Sequence, residues 1–344
     1  MAAASSRRDF VRMAGLSLGG LALPSAAWAA QVADDSLDYV DPELRPLAKL
    51  WLKMQESKTP MPAAPPPPIP AGVAKQVVPG RNGAPPVTLY VINAQPKGAV
   101  PTGGILHTHG GGFIYRSALE DLARLKVLAE RLGCVIVTVE YRLAPGTRFP
   151  GSLEDNYAGL MWMADNAASI GVDPARIALM GESAGGGHAA ILAIAARDRG
   201  EIKPAFQALI YPMLDDRTGS TRRVPPHIGT IVWTAADNRK GWGAFLGQPA
   251  GRPNVPAGSV PARVTNLTGL PPAFIAVGSI DLFVDEDIAY AGRLVDTGVP
   301  TELMVLPGAY HAFDLAMPQA RVSRQFQAAF DAALTRALGL KKPV

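Results

Sequence analysis

The sequence is short of cysteine, of charge and of any long apolar run, and each shortage removes a class of protein. One cysteine, Cys134, in 344 residues allows no intrachain disulfide. It lies in the apolar run Cys134-Val135-Ile136-Val137, the setting of a core thiol. Charged residues are 18% of the chain and the formal net charge is +4, about half of it from Arg7, Arg8 and Arg12 against Asp9 near the N-terminus. No dense basic face follows, so nucleic acid is not an expected partner. The stretch from Met13 to Ala27 is shorter than the roughly 20 apolar residues a membrane helix needs, and Gly, Ser and Pro interrupt it. No stable span is expected in the mature chain.

What is present suits one large globular domain, with 48% hydrophobic residues. Ser6-Arg7-Arg8-Asp9-Phe10-Val11 resembles a twin-arginine export signal, and Ala27-Trp28-Ala29 offers small residues where a signal peptidase reads. Residues 1–29 are therefore expected to be a leader read by the twin-arginine export machinery, leaving a periplasmic or secreted protein. That route carries folded proteins, which agrees with a chain that needs no disulfide. Residues 30–72 hold a helix start at Asp41-Pro42-Glu43, with Leu44, Leu47, Leu50, Trp51 and Met54 at helical spacing. A stiff proline-rich connector follows, from Thr59 to Pro70.

From Val73 to the end the texture is that of a single catalytic-size domain. Asn82-Gly83 between apolar runs signals a hairpin. Strand-like segments (Gly104–Thr108, Val135–Val139, Ile177–Met180, Ala205–Tyr211, Ala273–Val277, Thr301–Leu306) then alternate with helical ones. Alternation of this kind predicts an α/β fold with a mainly parallel sheet and helices on both faces. Residues 213–270, rich in Pro, Gly, Trp and Arg, break the alternation and read as an insertion beside or above the sheet.

Gly181-Glu182-Ser183-Ala184-Gly185 fits G-x-S-x-G, a weak pattern in a chain with 35 glycines. It gains weight from its place, after the strand Ile177–Met180 and at the head of a helix, where a serine is forced onto a tight turn with its hydroxyl exposed. His109-Gly110-Gly111-Gly112-Phe113 follows another strand. Side-chain-free backbone N–H groups there suit an oxyanion that builds during acyl transfer. No Lys-Ser/Thr follows, and the glycine spacing departs from G-x-G-x-x-G, so neither a P-loop nor a dinucleotide site is expected.

A base must come from five histidines: His107, His109, His188, His227 and His311. The order serine, acid, histidine in α/β-hydrolase chains leaves His227 and His311. His227 sits in the insertion, where a structural role is the ordinary expectation, whereas His311 follows the last strand. The acid lies between serine and histidine. Asp281 comes first out of the strand Phe274–Val277, and Asp285 and Glu286 read as the acidic first turn of the next helix. Asp281 is expected to orient His311.

These motifs, with Tyr141-Arg142-Leu143-Ala144-Pro145, Phe149-Pro150, Gly186 and Tyr310-His311-Ala312-Phe313, resemble the bacterial hormone-sensitive-lipase-like carboxylesterases. The resemblance runs from about Val73 to the end. It implies an α/β-hydrolase fold with a helical cap built from an N-terminal helix and the 213–270 insertion. It also implies a triad of Ser183, Asp281 and His311, and an oxyanion hole at Gly110, Gly111, Gly112 and Ala184. The implied activity is hydrolysis of small, short-chain carboxylic esters through an acyl-enzyme, with no metal and no organic cofactor. Two positions depart from the family pattern: Gly146 in place of Glu, and Ala312 in place of Gly. A peptidase or amidase with the same triad, or a non-catalytic ligand-binding protein on the same scaffold, are the rival readings.

Overall fold

The computed structural model describes residues 37–57, 66–95 and 98–340. The expected leader and its cleavage site lie outside those residues, as does much of the proline-rich connector. Eight strands form one sheet: β1 (Val73–Val78), β2 (Val87–Ile92), β3 (Thr102–Thr108), β4 (Val135–Glu140), β5 (Val172–Glu182), β6 (Phe206–Ile210), β7 (Ala273–Gly278) and β8 (Thr301–Leu306). The order across the sheet is β1-β2-β4-β3-β5-β6-β7-β8. The β1–β2 and β2–β4 pairs are antiparallel, and every pair from β4 through β3 to β8 is parallel.

The parallel strands are apolar almost throughout because both faces of the sheet are covered. Successive side chains point to opposite faces, so in β5 Ile177 and Leu179 join one core while Ala178 and Met180 join the other. One core receives α3 (Gly151–Asp165), α5 (Ala184–Arg199) and most of the buried face of α7 (Val284–Asp296), with the short α4 (Ala167–Ile170). The other receives α1 (Arg45–Ser57), α2 (Leu122–Leu132) and α9 (Arg321–Leu338), beside the short α8 (Phe313–Ala316). The chain leaves β3 toward β4 on one side and returns to β5 on the other. The carboxyl ends of β3 and β5 therefore flank a switch in direction, where open α/β sheets place their ligands.

Three local features differ from the sequence expectation. β5 begins at Val172, earlier than the apolar run alone suggests, after a register shift opposite Thr102 and Gly104. α1 begins at Arg45, not at Pro42. The Asp41 carboxylate instead accepts the Glu43 N–H at 3.0 Å and pairs with the Arg321 guanidinium at 2.8 Å, tying the N-terminal segment to α9. The hairpin joins Val78 to Val87 through a 3₁₀ turn at Arg81–Gly83, a longer connection than a two-residue turn.

The stretch from 213 to 270 adds no strand to the sheet. Its one α-helix, α6 (Ala235–Leu246), starts on a capping box in which Thr234 and Asp237 accept each other's backbone N–H. The stretch packs on the loops at the carboxyl edge: the Gly229 N–H donates to Ile280 O at 3.0 Å, and Trp233 lies against Gly112.

Candidate active site

Ser183 sits between β5 and α5 with φ 58° and ψ −125°, a backbone conformation that side chains rarely adopt. Three hydrogen bonds hold it there. Its N–H donates to Ile210 O (2.9 Å), and its carbonyl accepts from Gly187 N–H (3.0 Å) and Met213 N–H (3.0 Å). The flanking glycines are needed for space. A Cβ on Gly185 would lie 2.0 Å from Thr108 O, and one on Gly181 would lie 2.3 Å from the Gly185 backbone.

His311, in the loop after β8, reaches Ser183 Oγ with Nε2 at 2.9 Å and Asp281 Oδ2 with Nδ1 at 2.8 Å. The other Asp281 oxygen accepts the Phe283 N–H at 3.0 Å, so the carboxylate is fixed at both ends. All three side chains are buried. Asp285, the alternative acid, is exposed in the first turn of α7 and does not reach the histidine. The structure thus brings together Ser183, His311 and Asp281. His227 lies apart, stacked on Tyr39 with ring centroids 4.3 Å apart.

The glycine loop faces Ser183 across the β3–β5 junction. Gly110 lies against the elbow, where a Cβ would meet Glu182 O at 3.0 Å and Ser183 Cβ at 3.5 Å. The loop is braced from behind: Tyr141 OH donates to His109 O at 2.6 Å, and Thr108 Oγ1 donates to Gly185 O at 2.7 Å. The N–H groups of Gly111, Gly112 and Ala184 meet no acceptor among the described residues. Three donors left open beside a serine hydroxyl suit a developing negative oxygen.

A family described as α/β-hydrolase fold matches residues 105–315, more than half of the chain. The chain belongs to that family. This α/β-hydrolase is 36% identical over 203 residues to the esterase LipI of Mycobacterium tuberculosis, a match covering 58% of the chain and 62% of LipI. It is 32% identical over 234 residues to the ethyl acetate hydrolase of Pseudomonas putida, covering 66% of the chain and 71% of that protein. Among solved structures, a bacterial heroin esterase superposes with a TM-score of 0.76 at 32% identity, covering 88% of this chain and 99% of that one. The resemblance to hormone-sensitive-lipase-like carboxylesterases read from the motifs is borne out.

Several residues of this α/β-hydrolase site carry no sequence signal. Glu182 is buried beneath Ser183, bound to His107 Nε2 at 2.8 Å and to the Arg124 guanidinium at 2.9 Å. Asp121 joins the cluster through Arg124 at 3.5 Å and also pairs with Arg116 at 3.0 Å. Burial opposes the Glu182 charge, but Arg124 and His107 win and hold its carboxyl down to about 2. His107, Asp121 and Glu182 have the donor types of a metal site, their ligand atoms within 4.8 Å of one another. Both carboxylates are already committed to guanidiniums, so the cluster is charge-balanced as it stands. Glu286, expected only to complement a helix end, is buried and accepts the N–H groups of Leu214 (2.6 Å) and Asp215 (3.0 Å). It pins the start of the insertion to α7, and burial pushes its carboxyl well above the ordinary range.

Proposed function

We propose that this protein is a serine carboxylesterase in which Ser183 is the nucleophile, His311 the general base and Asp281 the orienting acid. The observation that carries the reading is the imidazole bridging Ser183 Oγ and Asp281 Oδ2 at the strand–helix elbow. His311 takes the Ser183 proton as Oγ attacks the ester carbonyl, then gives it to the leaving alcohol. It next draws a proton from water as the acyl-enzyme is hydrolysed. Asp281 holds the tautomer that leaves Nε2 free to accept and stabilises the imidazolium. The N–H groups of Gly111, Gly112 and Ala184, with Gly110 beside them, receive the oxyanion; each such donor is worth roughly 3–4 kcal/mol of barrier.

Short-chain acyl esters are the substrates expected on this reading. Trp233 of the insertion packs directly on Gly112, where a Cβ would lie 2.1 Å from the indole, which places a large side chain of the insertion against the glycine loop and supports a small acyl group. The similarity to an ethyl acetate hydrolase supports the same reading. α1 and the insertion are read as the cap over the site. The Arg7-Arg8 leader is read as an export signal to the periplasm or beyond; Arg7→Lys with Arg8→Lys should strand the precursor in the cytoplasm, and unchanged secretion would refute it.

The direct test combines labelling with rates on aryl esters from acetyl to palmitoyl. A fluorophosphonate should add once, at Ser183, by intact mass and peptide mapping, and rates should fall with acyl length. Asp281→Asn should lower kcat by up to about four orders of magnitude, while Asp285→Asn leaves it nearly unchanged. Labelling elsewhere, or a crippled Asp285→Asn beside a healthy Asp281→Asn, overturns the assignment.

A further inference from the structure

The segment that leaves β6 touches both halves of the serine–histidine pair. Ile210 O accepts the Ser183 N–H, and the Met213 N–H donates to Ser183 O. Between them, Tyr211 turns its ring edge-on to the His311 imidazole, with centroids 4.8 Å apart at 66°. The Tyr211 hydroxyl donates to Asp314 Oδ1 at 2.9 Å. Asp314 is three residues beyond His311, so this hydrogen bond ties the histidine loop to the segment that fixes the serine. The backbone around the bridge is strained at three non-glycine residues: Ser183 (φ 58°), Tyr211 (φ 36°) and Ala312 (φ 59°). Strain of this kind persists only where the surroundings over-determine it.

We infer that Tyr211 and Asp314 are positioning residues that set the distance and angle between Ser183 Oγ and His311 Nε2. This rests on the serine esterase reading of the same site. Neither group touches the reacting atoms. Tyr211 acts as a wall for the imidazole, and Asp314 holds that wall upright. Errors in such geometry well below 1 Å are costly in rate, because the proton must pass along one short hydrogen bond.

The bridge also carries a proton of its own. Burial pushes the Asp314 carboxyl up to about 6; the hydrogen bond from Tyr211 on the β6 side and the Arg124 guanidinium from α2 oppose the rise, and Glu182 from β5 adds to it. The ionised carboxylate is the stronger acceptor for the phenol, so the bridge is firmest above that pH and loosens below it. Protonation of Asp314 then shapes the acid side of the rate profile.

The test is kcat and KM on one short-chain aryl ester from pH 5 to 9 for the wild type, Tyr211→Phe and Asp314→Asn. Near-UV circular dichroism reports on packing, and the isosteric Asp314→Asn keeps the experiment readable if Tyr211→Phe does not fold. Both variants should lose about tenfold in kcat with KM within about twofold. The acid limb of kcat/KM should become shallower in Asp314→Asn, which has no carboxyl proton to gain at that position. In Tyr211→Phe it should become shallower as well, because without the hydroxyl the charge on Asp314 no longer reaches the ring. Folded variants with wild-type kcat and an unmoved acid limb, or a loss confined to KM, overturn the inference. A wild type that turns over no ester, or takes no fluorophosphonate at Ser183, defeats the esterase reading itself.

Discussion

Two histidines lie buried on opposite faces of the sheet near Ser183, His107 on the side of α2 and His188 on α5, and their surroundings could hardly differ more. Both ring nitrogens of His107 are bound, Nδ1 to Thr138 Oγ1 and Nε2 to Glu182, each at 2.8 Å, within a cluster that includes Arg116, Asp121 and Arg124. Both ring nitrogens of His188 meet no partner among the described residues; the ring packs on Phe113, Tyr141 and Phe245 at centroid distances of 4.8, 4.5 and 5.6 Å. Burial pushes the His188 imidazole down to about 3, with nearby His109 adding to the fall, so it is a neutral aromatic plate. One face keeps its charges by pairing them, and the other removes its charge by dehydration. The elbow stands on ionic hydrogen bonds below and on apolar ring packing behind the glycine loop.

The largest break in that comparison comes from the ionic side. Glu182→Gln keeps the shape of the side chain but leaves Arg124 with only Asp121, at 3.5 Å. Removing one partner of a buried pair typically costs 3–5 kcal/mol. Arg124 is about one-third exposed, with 32% of its side chain open to solvent, so about 3 kcal/mol is expected at pH 7 by urea unfolding. Because the Glu182 carboxyl is depressed to about 2, its contribution is complete above the ordinary carboxylate range and disappears as pH falls toward 2. The wild type and the variant should therefore converge in acid. A loss under 1 kcal/mol at pH 7 would mean that the cluster is solvated rather than ionic support.

The second test works on the apolar side. An unfolded chain protonates His188 near pH 6.5, while the folded one does so near 3, so between those values the unfolded state binds the extra proton. Stability supplied by the neutral ring is present above pH 6.5 and is lost as pH falls. His188→Leu should leave neutral stability unchanged or slightly raised. It should also spare the protein about 2 kcal/mol of the loss seen between pH 7 and pH 5, since one proton is worth about 1.4 kcal/mol per pH unit. Identical acid slopes for wild type and variant would show that His188 is hydrated.

How much of this was legible in the sequence follows from the range of each interaction. The alternation of apolar runs and helical spacing is local, and it gave the α/β order and the elbow around Ser183. The serine–acid–histidine order is a rule of chain direction, and it led to Asp281 and His311, which the fold brings within hydrogen-bond reach. The ionic cluster was invisible because its members are far apart in the chain: Glu182 and His107 are 75 residues apart and meet only because β3 and β5 are neighbours. Glu286 was read as a helix-end acid for the same reason. Asp285 beside it is indeed exposed, but one step around α7 turns Glu286 inward to the insertion. The start of α1 was misplaced because the turn that Asp41 opens by accepting the Glu43 N–H does not become α-helix until Arg45.

The smallest effect belongs to Ala312, the residue after His311, which stands where the family pattern has glycine. It adopts φ 59° and ψ 28°, a left-handed conformation that costs an L-residue roughly 1–2 kcal/mol and costs glycine almost nothing. Against that relief, glycine surrenders about 0.5–1 kcal/mol more backbone entropy on folding. Ala312→Gly should therefore stabilise the protein by about 1 kcal/mol or less in urea unfolding. Ala312 packs against the same core as the Tyr211 ring, so its strain bears on the histidine loop directly. If that strain merely accompanies the loop, the variant gains stability and keeps its kcat. If the strain presses His311 toward Ser183, the variant gains stability and loses rate, because the relaxed loop lets the imidazole drift from Oγ. Destabilisation by Ala312→Gly would mean instead that the methyl group's packing outweighs its backbone cost. The ring contacts and hydrogen bonds around His311 would then hold the loop without any help from strain.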